Sequence, residues 1–214
     1  MKTYKVNKVD VSHMNINGQA DHPLWDKAVI LKDFCSPWHF EDVEDIEFRA
    51  IHDGENLFVS YRVDDSELHI DSTDDSKKSV DNSDRVELFL RSDKNLDPYY
   101  CLEIDPLARV QDFMARPDRA FDYKWNWPKQ DLQVKSYITD SYFTVEVVIT
   151  IASLRRFELI QKDGIIEAGI YRAKYNQQQN GQFEPTWITW IDPHTETPDF
   201  HIASSFGKLK LENY

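Results

Sequence analysis

Two carboxylates separated by one residue, Glu103 and Asp105, are the best candidates for catalysis in the sequence. Alternate residues of an extended strand share one face, so both side chains are expected to point the same way. A retaining glycoside hydrolase needs two such carboxyl groups about 5–5.5 Å apart. Jelly-roll hydrolases of this kind carry a third carboxylate shortly afterwards, but this strand continues as "PLAR". The chain is therefore predicted not to be an enzyme, and a hydrolase using this pair is the alternative.

Aspartates crowd the segment 64–84, which is too polar to pack and is predicted to be a long loop. Ca²⁺ takes about six to eight oxygen ligands, often from loops of this kind. A weak or structural Ca²⁺ site is expected there, with Asp64, Asp65 and Asp84 among its ligands, although the spacing does not match an EF-hand. The alternative is a solvated acidic loop, and no other cofactor is expected.

Aromatic rings and carboxylates together also suit sugar binding. The C–H face of a pyranose stacks on a ring, while its hydroxyl groups need polar partners. Glu87, Glu103 and Arg172 lie on predicted polar strand faces. In "TWITWI" the spacing puts Trp187 and Trp190 on opposite faces of a strand, so at most one of them belongs to the core.

The stretch "FDYKWNWPK", residues 121–129, places four rings at alternate positions. In a strand they would share one face, with Asp122, Lys124 and Asn126 on the other. Two interpretations are open. The rings form a cover over the core, or at least one of Trp125 and Trp127 faces a ligand.

The charge of the chain limits its partners. With 214 residues, a formal net charge of −13 and a pI near 4.9, the chain lacks the basic surface that nucleic acids and anionic membranes require. No apolar run approaches the roughly 18 residues of a spanning helix. The N-terminus "MKTYKVNKVDVSHMNI" has no apolar core of a secretory signal. Two compartments remain open, the cytoplasm or, if a signal has been removed, the periplasm or exterior.

Hydrophobic residues alternate with polar ones along most of the chain. The segments 45–51 and 57–63 predict a hairpin around Asp53-Gly54, and 142–151 pairs with the strand before it. The segment 152–159 is the only convincing helix. About ten or eleven short strands with almost no helix predict an all-β, single-domain jelly-roll β-sandwich spanning 1–214. Cys35 and Cys101 do not make a disulfide framework, and one bridge between them is left open.

Three stretches, in this order, resemble a known family. They are "INGQADHPLWDKAVILKDF", then "DNSDRVELFL" followed by "YYCLEIDPLARVQDF", and finally "TWITWIDPHTETPDFHIASSFGKLKLE". Together they are similar to the family 9 carbohydrate-binding modules, which occur at the ends of xylanases and as free-standing proteins. The resemblance runs from about Ile16 to Leu211.

This resemblance implies a jelly-roll sandwich without catalysis that binds sugar between two aromatic rings. It places Glu87 against sugar hydroxyls and puts the second ring at Phe200, with Trp190 slightly upstream. Some members also hold structural Ca²⁺. This chain departs from the pattern at two positions: Asp81 stands near the place of the first ring, and Glu103 replaces an arginine.

The sequence therefore predicts a non-catalytic protein that binds a plant or glycan-derived saccharide. A protein–protein module that kept the fold and lost the sugar site is a third hypothesis; the sugar and the oligomeric state are left open. The predicted ligand-binding residues are Glu87, Glu103, Trp125, Trp127, Arg172, Trp190 and Phe200.

Overall fold

Alternating apolar and polar residues form twelve strands within residues 1–10, 14–39 and 43–214, which this computed structural model describes. The strands are β1 Thr3–Lys8, β2 Ile46–His52, β3 Asn56–Asp64, β4 Arg85–Arg91, β5 Tyr99–Ile104, β6 Val110–Arg116, β7 Ala120–Asp122, β8 Leu132–Ile138, β9 Tyr142–Thr150, β10 Ile165–Gln177, β11 Phe183–Thr189 and β12 Gly207–Leu211. The helices are α1 Lys77–Asp81 and α2 Ile151–Arg156, with 3₁₀ turns at Pro23–Lys27, Pro117–Arg119 and Ala203–Ser205. No helix in the described ranges is long and apolar enough to cross a membrane.

The strands form one curled sheet whose two halves pack face to face. The first half runs in the order β7, β6, β5, β4, β10 and β12, and β11 pairs with β10. The second half runs β2, β3, β9 and β8. Strand β1 joins them, because it pairs in parallel with both β12 and β2. The predicted all-β sandwich is confirmed, and the arrangement is consistent with a jelly roll.

The largest hydrophobic cluster lies between the two halves and fixes which face of each strand is outside. In β4, Val86, Leu88 and Leu90 enter this cluster. Their neighbours Arg85 and Glu87 must then point to the outer face, because side chains alternate along a strand. The core thus places charged side chains together on the outside of the first half.

Most local predictions are confirmed. Strands β2 and β3 form the expected hairpin, with Ile46 opposite Val63 and with Gly54 at φ +98° in the turn. The predicted helix at 152–159 corresponds to α2. The segment 64–84 is not loop throughout, because α1 forms within it and buries Val80. Cys35 and Cys101 are free thiols.

Trp190 is one of the largest side chains in the core and is 1% exposed. Its indole lies over Gly207 at the start of β12, where a side chain would overlap the ring. Glycine is therefore needed here for close packing rather than for an unusual backbone angle.

We expect Gly207→Ala to lower the free energy of unfolding by about 1–3 kcal/mol, because the added methyl group must displace the Trp190 indole in a packed core. Urea denaturation followed by tryptophan fluorescence measures the loss. Lys208→Ala, at the next position of β12, is the control and should change stability much less. Equal stability of Gly207→Ala and the parent would contradict the packing described.

Candidate functional site

A cleft of about 300 Å³ opens on the outer face of β4, β5 and β6. The polar side chains of its floor are Arg85, Glu87, Glu103 and Gln111, which alternate with residues that point into the core. Strand pairing sets Glu87 of β4 beside Glu103 of β5, and sets Glu103 beside Gln111 of β6. The cleft is closed by α1, by the segment following β6, by β11 and by the loop that precedes β12.

Arg85 organises this floor. Its Nε lies 2.9 Å from Glu87 Oε1 and 3.2 Å from Glu103 Oε2. Its Nη1 donates to the carbonyl of Asp81, whose carboxylate is 3.5 Å from Nη2. Gln111 Nε2 donates to Glu103 Oε2 at 2.7 Å. Two carboxylates on neighbouring strands therefore share one buried guanidinium.

The Glu87 carboxylate is incompletely satisfied. Glu87 is 1% exposed, and no donor among the described residues reaches its Oε2. Burial raises the pKa of Glu87 to about 8; Arg85 opposes this shift and the Glu103 carboxylate adds to it. Burial also raises the pKa of Glu103. Buried acceptors without partners are uncommon in native proteins, so Oε2 calls for a further donor, either a proton on the carboxyl itself or a ligand in the cleft.

Aromatic rings surround the polar floor. Phe113 of β6 contacts Phe121 and Tyr123, with ring centroids 5.4 and 4.9 Å away, and Tyr123 is 50% exposed. Trp187 of β11 lies 5.3 Å from Phe200, and its ring faces the Arg85 guanidinium at 5.4 Å. Rings beside carboxylates can provide both stacking and hydrogen bonds for one ligand.

Phe200 is held by the residues beneath it. Its ring stacks on Tyr171 of β10 at a centroid distance of 4.5 Å. The Tyr171 hydroxyl donates to Ser205 Oγ at 2.8 Å. Gly169 leaves room for the Tyr171 phenol, which a methyl group at that position would overlap. The position of this ring therefore depends on β10 as well as on its own loop.

The stretch 121–129 does not keep the four-ring face expected of a strand. Strand β7 ends at Asp122, and the backbone beyond it is held by hydrogen bonds from Lys77 Nζ. Phe121 and Tyr123 line the cleft, whereas Trp125 and Trp127 pack against the main core.

Trp127 is 3% exposed and donates from Nε1 to Ser153 Oγ at 3.2 Å. Both tryptophans contact Tyr100 and Phe157 rather than the cleft. Trp125 and Trp127 therefore cover the core, which is the first of the two interpretations. The rings that face the cleft are Phe121 and Tyr123.

Trp187 and Trp190 lie on opposite faces, as expected. Trp190, however, was the one predicted to bind ligand. Trp187 lines the cleft and Trp190 is in the core. Arg172 also lies away from the cleft. It is buried, pairs with Asp65, and approaches Glu44 at 3.0 Å. Arg172 stands two residues after Ile170 on β10, so its side chain points to the same inward face and away from the outer cleft.

Asp105 does not share the cleft with Glu103. Strand β5 ends at Ile104, and the buried Asp105 carboxylate accepts hydrogen bonds from the backbone N–H of Leu107 and Arg109, both at 3.0 Å. The Arg109 side chain also donates to it at 2.7 Å. This carboxylate stabilises a turn, so the acid pair required by the hydrolase hypothesis is not assembled in the cleft.

The three aspartates expected to bind Ca²⁺ are separated. Asp64 is exposed and pairs with Arg62 at 3.2 Å. Asp65 and Asp84 are buried beside Lys174, whose Nζ lies 2.8 Å and 3.3 Å from their carboxylates and 2.7 Å from the Glu67 carbonyl. An ammonium group already occupies the space between these oxygens, so this donor set does not fit a Ca²⁺ ion. No group of three or more acidic, histidine or cysteine side chains in the described ranges could hold a metal.

Several cleft residues were absent from the predicted site. Arg85 shares its strand face with Glu87, a signal that alternation alone provides. Gln111 and Phe113 carry no such signal, because their place beside β5 depends on strand pairing. Arg119 and His201 come from segments between strands, which the sequence does not position.

The carbohydrate family 9 binding domain-like model matches residues 16–214. The chain belongs to this family. The matched residues of this family 9 member include the three motifs and all the strands that form the cleft. No curated protein matches the chain significantly.

Solved structures share the fold of this family 9 member. A protein of Bacteroides uniformis ATCC 8492, for which carbohydrate binding has been suggested, superposes with a TM-score of 0.70, at 18% identity over 99% of each chain. A family 9 carbohydrate-binding module of Caldicellulosiruptor kristjanssonii superposes with a TM-score of 0.61 in its cellotriose complex, covering 100% of this chain and 95% of the module. The glucose complex gives 0.62 and covers 100% and 97%; identity is 17% in both. The likeness confirms the β-sandwich.

We expect Lys174→Met to lower the free energy of unfolding by about 3–5 kcal/mol, because it removes a cation from between two buried carboxylates. Lys32→Met is the matched control, since Lys32 pairs with Glu47 on the surface and exposed pairs contribute little to stability. Urea denaturation measures both.

The same variants test the role of Ca²⁺. Millimolar Ca²⁺ should leave the Tm of both proteins unchanged, because Lys174 and Arg172 already compensate the carboxylates in the parent and an apolar side chain takes the place of the ammonium group in the variant. A parent Tm that rises with Ca²⁺ and falls with chelator would instead support the Ca²⁺ site expected from the acidic segment.

Proposed function

We propose that this family 9 member binds a saccharide in the cleft above Arg85 and does not transform it. The observation that carries the proposal is the buried Glu87 Oε2, an acceptor without a donor among the described residues, surrounded by aromatic rings. Sugar hydroxyls supply donors, and the C–H face of the sugar supplies an apolar surface for the rings. The cellotriose and glucose complexes of the similar module support the same ligand class.

In this proposal Glu87 and Glu103 accept hydrogen bonds from the sugar, and Arg85 holds both carboxylates in place. Trp187 and Phe200 contact the ring of the sugar, and Tyr123, which is half exposed, covers it from the segment after β7. Asp81 lies at the rim, near the expected position of the missing aromatic ring.

We expect Glu87→Ala to weaken binding at least tenfold. A hydrogen bond to a carboxylate in a partly dry site contributes about 1.5–3 kcal/mol, and about 1.4 kcal/mol corresponds to a factor of ten. Calorimetry with a sugar selected on a glycan array measures the change. Binding equal to that of the parent would place the site elsewhere, and an array without any bound glycan would favour the protein–protein hypothesis.

Two tryptophan variants distinguish a residue of the binding surface from a residue of the core. Trp187→Ala should lose affinity and keep its Tm, because this ring lines the cleft. Trp190→Ala should lose about 3–5 kcal/mol of stability, because truncating a buried aromatic leaves a cavity. The pair is matched in residue type and separated by only three positions. A stability loss confined to Trp187→Ala would reverse this assignment.

We expect no hydrolysis of xylan, glucan or mannan fragments. Asp105 is engaged in its turn, so Glu103 lacks the partner of the hydrolase hypothesis. Reducing-sugar release over long incubation is the measurement. Release that disappears in Glu103→Gln would make the hydrolase the better hypothesis.

A further inference from the structure

Negative charge exceeds positive charge in the lining of the cleft. Four carboxylates contribute to it, whereas the lining cations are Arg85 and Arg119. His201 adds no positive charge at neutral pH, because burial lowers its pKa to about 4. The lining carboxylates are Asp81, Glu87, Glu103 and Asp199.

The four carboxylates are unevenly divided between the two guanidinium groups. Arg119 Nη2 pairs with Asp199 at 2.9 Å, which balances one carboxylate. Arg85 is left with the other three, at distances of 2.9, 3.2 and 3.5 Å. When all three carboxylates are ionised, the cleft carries an excess of two negative charges around this one cation, and a proton on Glu87 removes one of them below about pH 8.

A second observation shows where this charge is uncompensated. Glu87 Oε2 is buried and has no donor among the described residues. Burial is the main reason that the pKa of Glu87 is raised, and the neighbouring Glu103 and Asp81 carboxylates add to the shift. A sugar hydroxyl would donate a hydrogen bond to this oxygen but would leave the charge excess, whereas a protonated amine supplies both the donor and the positive charge.

The rings favour the same chemistry. Phe121, Tyr123, Trp187 and Phe200 line the cleft close to the carboxylates. The face of an aromatic ring attracts a cation as well as the C–H groups of a sugar. Trp187 already faces one cation, the Arg85 guanidinium.

We propose that the cleft selects a saccharide with a free, protonated amino group, such as a 2-amino-2-deoxyhexose, over neutral sugars. This inference rests on the proposed saccharide binding and names the class of sugar. The amine approaches Glu87 Oε2 and is shared with Glu103, while the rings contact the sugar. An N-acetyl group removes the charge, so acetylated amino sugars are disfavoured.

Three β-1,4-linked trisaccharides that differ at C2 test the inference by calorimetry at pH 6.5. They are the glucosamine trimer, the N-acetylglucosamine trimer and cellotriose, with choline as a non-sugar cation. The glucosamine trimer should bind at least tenfold more tightly than the other two sugars and than choline. In Glu87→Gln the ratio of glucosamine-trimer to cellotriose affinity should fall towards one. In Glu47→Gln, a carboxylate outside the cleft, the ratio should stay as in the parent.

The outcomes separate the two proposals. If cellotriose or the acetylated trimer binds as tightly as the glucosamine trimer, the amine is not recognised, and saccharide binding still stands. Choline binding as tight as that of the glucosamine trimer would show that the sugar ring is not recognised and would overturn the inference. If no trisaccharide and no glycan on an array binds, the proposed function fails and this inference fails with it.

Discussion

The buried Arg85 guanidinium is the interaction on which the candidate site depends. It holds Glu87 and Glu103 on adjacent strands; without it Glu87 would be buried without a partner and Glu103 would keep only Gln111. Taking charges out of water is costly, so such a cluster persists only with well-placed partners. The core supplies that placement, because Val86 and Ile104 are paired across β4 and β5 and point inward. The packing of one face thereby positions the charges of the other.

A second hydrophobic cluster on the outer face carries the rings of the cleft. Phe89, Phe113, Tyr171 and Phe200 belong to it and lie beside the charged floor. The Phe89 ring contacts Phe113, Tyr171 and Phe200 at centroid distances between 5.0 and 6.5 Å. A ring that stacks on a ligand must itself be held, since ordering it on binding would cost conformational entropy. The outer cluster therefore pre-organises part of the aromatic wall.

The sequence predicted what depends on local alternation and missed what depends on long-range pairing. Alternation placed Glu87 outside and Val86 inside, and it put Trp187 and Trp190 on opposite faces. It did not say which tryptophan faces the core, because that depends on the register of β11 against β10. The prediction that the four rings of residues 121–129 share one face was wrong, because the strand ends at Asp122. The Lys174 cluster joins segments about 90–109 residues apart, which no local pattern reveals.

The charge of the cleft links its affinity to the stability of the fold. The pKa of Glu87 is about 8 in the folded chain, above its ordinary value of 4.5, so the native state binds this proton more tightly than the unfolded state does. By linkage, stability from this group is present at low pH and is lost as pH rises from about 4.5 to about 8. Above about pH 8 the empty cleft therefore carries the cost of an ionised Glu87. A ligand that brings a hydrogen-bond donor and a positive charge removes this cost, and it stabilises the folded chain most where Glu87 is ionised.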